Sequence, residues 1–132
     1  MTAASEEATT LLWRPVGPEE LDLLRRSGWK AWPPRLPEQP IFYPVLTEDY
    51  AIKIARDWNV PASGAGYVTR FRVRSQFAGR YPIRQVGGQD ILELWIPAED
   101  IDELNASIIG LIEVVHKFTG PQSPGPGASG KT

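Results

Sequence analysis

Two charged residues lie inside short apolar runs, where an unpaired charge is costly. In "ILELWI" (91 to 96) the only charge is Glu93, and in "LLWRPV" (11 to 16) it is Arg14, between Trp13 and Pro15. Burying an ionised carboxylate with no partner costs several kcal/mol, so Glu93 either faces water or has a chemical task. The planar guanidinium of Arg14 suits a two-pronged grip on phosphate or carboxylate; the plainer alternative is that it snorkels to solvent along its aliphatic stem. Carried on two strands, the two charges either pair with each other or face one cleft.

Other chemistry-bearing residues are sparse. Cysteine is absent and His116 is the only histidine, which excludes disulfides, thiolate metal sites and His-rich metal sites; no metal is expected. Without a serine motif or a second base there is no basis for a nucleophile triad, and His116 reads as a core or rim residue. Arg70, Arg72 and Arg74 alternate along "YVTRFRVR" as the solvated face of a strand does, with contact to an anionic ligand as the functional alternative. Of the tryptophans, Trp29 and Trp32 lead into a proline loop where a ring could stack on a flat ligand, while Trp58 and Trp95 read as core. The string "GPGASGKT" (125 to 132) fits the phosphate-loop pattern letter for letter. Such a loop works through the helix that follows it, and none follows Thr132 in this sequence, so the match is expected to come from Pro/Gly-rich composition.

The elements that must position these residues can be read in order. "LLWRPV" is a first strand, closed by Gly17, and Pro18 opens a short helix with Glu19 and Glu20 in its first turn and Gly28 as its stop. "PPRLPEQP" (33 to 40) is an extended loop. "IFYPVL" is a strand that Pro44 demotes to an edge or a bulge. Thr47 caps a helix on which Tyr50, Ala51, Ile54, Ala55 and Trp58 recur at helical spacing, and a turn, "VPASGAG", follows. "YVTRFRVR" is a half-buried strand, "YPIRQV" and "ILELWI" pair as a hairpin, "PAEDIDELN" makes a helical turn and "IIGLIEVVHKF" a last strand. The predicted fold class is α+β: a curved, mainly antiparallel sheet with two or three short helices.

The chain of 132 residues is expected to hold one domain over 11 to 119, between a disordered head (1 to 10) and a disordered Pro/Gly-rich tail (120 to 132). A formal charge of -2 and a pI near 5.4 argue against a nucleic-acid partner. The head "MTAASEEATT" has no cationic start or apolar run, and no segment is apolar enough to span a bilayer, so a cytoplasmic protein without membrane partners is expected.

The segments "LLWRPVGPEELDLLRRSGWKAWPPRLPEQPIFYPVL", "YVTRF" and "ELWIPAEDIDELN" resemble a family of small bacterial proteins labelled ADP-ribosylation/crystallin, across nearly all of 11 to 119. The order of elements is similar to a minimal ADP-ribosyltransferase. There, a first strand carries Arg or His, a second carries Ser or Tyr and runs into a helix, and a late strand carries Glu. The resemblance implies an NAD-binding domain in which Arg14 holds phosphates or ribose, Tyr43 stacks on nicotinamide, Glu93 is the catalytic carboxylate, and Arg35 stands at the rim in the proline loop. Ile91, two residues before Glu93, replaces the extra acid of arginine-modifying members. The acceptor is then nucleic acid, another side chain or a small molecule, unless no transfer occurs. The alternative is a non-catalytic module that binds a protein or a nucleotide.

Overall fold

The computed structural model describes residues 8 to 36, 38 to 89 and 91 to 120. Strand β1 (Thr9–Val16) starts two residues before the expected strand and runs into helix α1 (Pro18–Arg26). Pro18 occupies the first turn, where its missing N–H costs nothing. Glu19 and Glu20 at the start and Arg25 and Arg26 at the end complement the helix dipole. Gly28 (φ 77°) breaks the helix, and Trp29 (φ 65°) follows it in the left-handed region while its N–H donates to the Leu24 carbonyl at 2.9 Å.

After β2 (Ile41–Phe42) comes α2 (Glu48–Ile54), whose cap Thr47 accepts from the Tyr50 N–H at 3.4 Å. The helix then widens into a π-helical turn (Ala55–Asn59) and continues as α3 (Val60–Ser63) to Gly64 (φ 84°). "VPASGAG", expected as a turn, is therefore helical through Ser63. Proline disrupts a regular helix by removing an N–H, but Pro61 falls where the π turn has already interrupted the α ladder.

Next come β3 (Ala65–Arg74), a short helix α4 (Ser75–Ala78) that has no sequence signal, β4 (Ile83–Gln85), β5 (Leu92–Leu94) and β6 (Ile96–Pro97). A 3-10 turn (Ala98–Asp100), α5 (Ile101–Ser107) and β7 (Ile108–Thr119) complete the described chain. The fold is α+β with antiparallel sheets and about four helices, where two or three were expected.

Strands β1, β3 and β7 form one antiparallel sheet in that order. The β3–β7 register shifts twice, between Val68 and Thr69 and between Arg70 and Arg72; Gly110 (φ 80°) lies in the second offset. β4 and β5 make the expected hairpin.

Segment 41 to 46 pairs with 92 to 97 in a single register: Ile41 opposite Pro97, Phe42 opposite Ile96, Val45 opposite Glu93. The ladder is interrupted at Tyr43–Pro44, as a proline without an N–H requires. Pro44 was expected to make this segment an edge or a bulge, and the ladder does break at it, but the segment is not an edge. It lies inside instead, because Val45 bridges Trp13 of β1 on its other side. The Pro44 carbonyl still accepts from Leu94 N–H at 3.0 Å.

Two apolar clusters form. The larger gathers Leu12, Phe42, Phe71, Leu94, Leu104 and Ile112 around Trp32, whose ring meets Phe42 and Phe71 at 5.1 Å each. The smaller joins Val45, Ala51, Ala55 and Val68 with Trp13 and Tyr50. Trp32 is thus core rather than a stacking ring in the loop. Conversely Trp58 (69% exposed) and Trp95 (38% exposed), read as core, stand in solvent. The arginine stripe points outward as read, with Arg70 on Glu113 at 2.9 Å and Arg74 on the Ala106 carbonyl at 3.0 Å. His116 sits at a rim, 2.7 Å from a Glu48 carboxylate oxygen. Among the described residues no helix is long and apolar enough to cross a membrane. The string "GPGASGKT" and the first seven residues lie outside the described residues.

Candidate functional site

Glu93 lies on β5 with Val45 opposite it on one side and Arg84 of β4 on the other. Its two oxygens are held separately. The Tyr50 hydroxyl donates to Oε2 at 2.7 Å, and the Trp95 indole Nε1–H donates to Oε1 at 2.8 Å. The Thr47 cap fixes the first turn of α2 and with it the place of Tyr50, while Trp95 shares Glu93's face because strand side chains alternate. Burial, and then the bond to Glu93, push the Tyr50 hydroxyl up to about 12. Two neutral donors therefore offset the desolvation of the half-buried carboxylate.

The ion pair between Arg14 and Glu93 that the sequence left open does not form. Arg14 Nε and Nη2 grip Glu20 at 2.7 and 3.0 Å in a two-pronged pair, with side chains only 12% and 21% exposed. The alternation of β1 explains the choice. Trp13 packs in the smaller cluster with Ala51 and Ala55, so Arg14 turns the other way, over the rings of Phe42 at 4.5 Å and Trp32 at 5.8 Å. Helix α1 begins two residues after β1 and returns Glu20 to that spot.

Even so, Arg14 and Glu93 border the same pocket. It has a volume of about 230 Å³ and is lined by Arg14, Pro15, Tyr43, Val45, Ile54 and Glu93, at the interruption of the ladder. Tyr43 is 43% exposed; its carbonyl is 3.4 Å from Arg14 Nη1 and its ring meets Trp95 edge-on at 6.2 Å. Arg35 is not part of the lining. Its guanidinium stands 5.6 Å from the Phe42 ring centre, and its buried Nε has no hydrogen-bond partner among the described residues. Burial and the neighbouring Arg14 draw its pKa down, against the opposing pull of Glu20.

The structure thus brings three of the four candidates, Arg14, Tyr43 and Glu93, to one pocket and sets Arg35 within the electrostatic reach of Arg14. Sequence reasoning missed Tyr50, Trp95 and Glu20 as members. Trp95 was within reach, because a residue two places from Glu93 on a strand shares its face. Tyr50 was counted only as an apolar helical position, although a buried tyrosine hydroxyl seeks an acceptor.

Two larger hollows exist elsewhere. One of about 410 Å³ is walled by Leu11, Arg70, Arg72, Leu111 and Glu113, and another of about 520 Å³ by Glu19, Glu20, Asn59 and Ser63. Neither contains a carboxylate pre-held by neutral donors, and in the first Arg70 is already spent on Glu113. Among the described residues no group of three or more His, Cys, Asp or Glu side chains is placed to hold a metal. No family model, curated protein or solved structure matches this chain.

Proposed function

We propose that the pocket bordered by Arg14, Tyr43 and Glu93 takes the nicotinamide–ribose end of NAD, and that the protein is an ADP-ribosyltransferase-like enzyme. The observation that carries this is the meeting of these three residues, from three separate strand segments, in one pocket with the carboxylate of Glu93 fixed at both oxygens. Pockets that enclose a whole drug-sized ligand have about 300–1,000 Å³. At about 230 Å³ this one suits a nicotinamide riboside moiety, with the rest of the dinucleotide running outside towards Arg35.

In the reaction, the bond between ribose C1′ and the nicotinamide nitrogen breaks and its electron pair leaves with nicotinamide. Positive charge builds on the ribose ring. A carboxylate already oriented by Tyr50 and Trp95 stabilises that charge with little reorganisation, as in glycoside hydrolysis. An acceptor nucleophile then bonds to C1′ and loses its proton to Glu93. Tyr43 offers a ring for the nicotinamide; Arg35, whose Nε has no partner among the described residues, offers a donor for phosphate, and Arg14 adds its Nη1, now only loosely held at 3.4 Å by the Tyr43 carbonyl.

Calorimetric titration with NAD, beside Tyr43→Ala, tests the reading. Tyr43 is the better probe because Arg14→Ala strands Glu20 without its partner and disturbs the fold. Saturable binding that Tyr43→Ala weakens at least tenfold is expected. An absence of heat up to millimolar NAD sinks the proposal.

A further inference from the structure

A second recognition surface shares Tyr43 and Glu93 with the pocket and extends beyond it to Trp95 and Arg84, and it stands whether or not a dinucleotide enters. The strand registers place four side chains on one face. Arg84 is opposite Glu93, Trp95 is two places on from Glu93, and the 41-to-46 register carried through sets Tyr43 across from Trp95, in agreement with their ring contact.

Three observations describe what this face attracts. First, Glu93 has only neutral donors on its oxygens, and no ion pair joins it among the described residues. Its carboxylate thus makes no direct ion pair, although Arg84 stands opposite it on β4. Second, the rings of Tyr43 (43% exposed) and Trp95 (38% exposed) stand together in solvent. Exposed Trp and Tyr are enriched at the centres of protein-binding surfaces. Third, the Arg84 guanidinium already lies 4.7 Å from the centre of the Trp95 ring. A guanidinium over an indole that is hydrogen-bonded to a carboxylate is favoured twice, by the ring's negative face and by the charge behind it.

We propose that this face is a docking site for a protein partner and that its anchor is an arginine side chain of that partner, seated between Trp95, Tyr43 and Glu93, where Arg84 is the resident stand-in. Arg84 is exposed on a short strand at the end of the hairpin and can swing away at little cost. It thereby lowers the apparent affinity of every incoming guanidinium by occupying the ring. The site recognises the guanidinium and leaves it unmodified.

The test follows the Trp95 indole N–H by NMR during titration with N-acetyl-arginine amide, against N-acetyl-citrulline amide as the neutral isostere. The expected result is a saturable shift with arginine, at least fivefold weaker binding of citrulline, and tighter arginine binding in Arg84→Gln by a factor of three or more. Equal binding of the two probes, or an Arg84→Gln variant that binds arginine no better than wild type, overturns the proposal. Arg84 is solvent-exposed, so its substitution leaves the fold intact. Failure to bind NAD leaves this result standing, and a failed arginine titration leaves the NAD reading untouched.

Discussion

Glu93 shows what the sequence alone could not decide about a charge in a strand. The run "ILELWI" shows that the carboxylate needs a partner, but it does not name one, because the partners sit 43 residues upstream on a helix and two residues downstream, just past the end of β5. Glu93→Gln therefore carries a stability cost. The amide oxygen can accept from the Trp95 indole while its NH2 donates to the Tyr50 hydroxyl, which turns to accept, but both bonds lose the negative charge that strengthens them. The expected loss is about 1–2 kcal/mol in a urea denaturation series, in addition to any loss of activity. Unchanged stability would mean that Tyr50 or Trp95 finds water instead.

Tyr50 gives a pH signature. Its folded pKa of about 12 lies above its ordinary 10.0, so the fold favours the neutral hydroxyl. That contribution is complete below pH 10 and is lost as pH rises through about 12. Wild type should exceed Tyr50→Phe by about 1 kcal/mol at neutral pH, and the gap should close between about pH 10 and 12. Tyr81, raised by burial and by its bond to Asp100, loses stability there too, but it does so in both proteins and cancels in the difference. A gap that stays constant to pH 12 would show that the hydroxyl is not tied to Glu93.

At the scale of elements, the capped start of α2, the helix stop at Gly28, the alternation of β3 and the hairpin were all legible, because each rests on local chemistry. The π-helical turn was not. Nothing in "ARDWN" requires it; it lies where β3 passes so close that a Cβ on Gly66 would clash with the Ala55 carbonyl oxygen. Helix and strand shape each other there. Gly66→Ala must move either the turn or the strand and should cost about 3 kcal/mol in thermal unfolding, while a substitution at the exposed Trp58 on the same turn should change stability by less than about 0.5 kcal/mol. The place of segment 41 to 46 was hidden for a similar reason. Pro44 speaks for an edge or a bulge without deciding between them; only two residues of that segment lose pairing, and Val45 recovers it on both sides.

At the scale of the molecule, composition and pattern were enough for the α+β class and its antiparallel pairing, since both follow from counting short alternating runs. The meeting of Arg14, Tyr43 and Glu93 at one pocket came from the ordering of strands, which no local pattern fixes. The tryptophans were misassigned because hydropathy ranks a ring by type and does not record which side of the sheet is covered. The two apolar clusters share β1 and β3, with Leu12 and Phe71 in one and Trp13 and Val68 in the other. They should therefore unfold together. Tryptophan fluorescence, which reports both clusters, and far-ultraviolet circular dichroism should trace one coincident urea transition. Separate midpoints would mean that the α2 layer comes away before the rest.

The two register offsets in β7 have a consequence for how these molecules behave in a crowd. Twelve residues long, with one neighbour among the described strands and with Ile109, Leu111 and Val114 exposed, a straight β7 would be an open template for addition of another chain. The offsets and the left-handed Gly110 kink that edge, so an incoming strand cannot match it over more than a few residues. The irregularity that weakens its pairing with β3 keeps one molecule from seeding a fibril of the next.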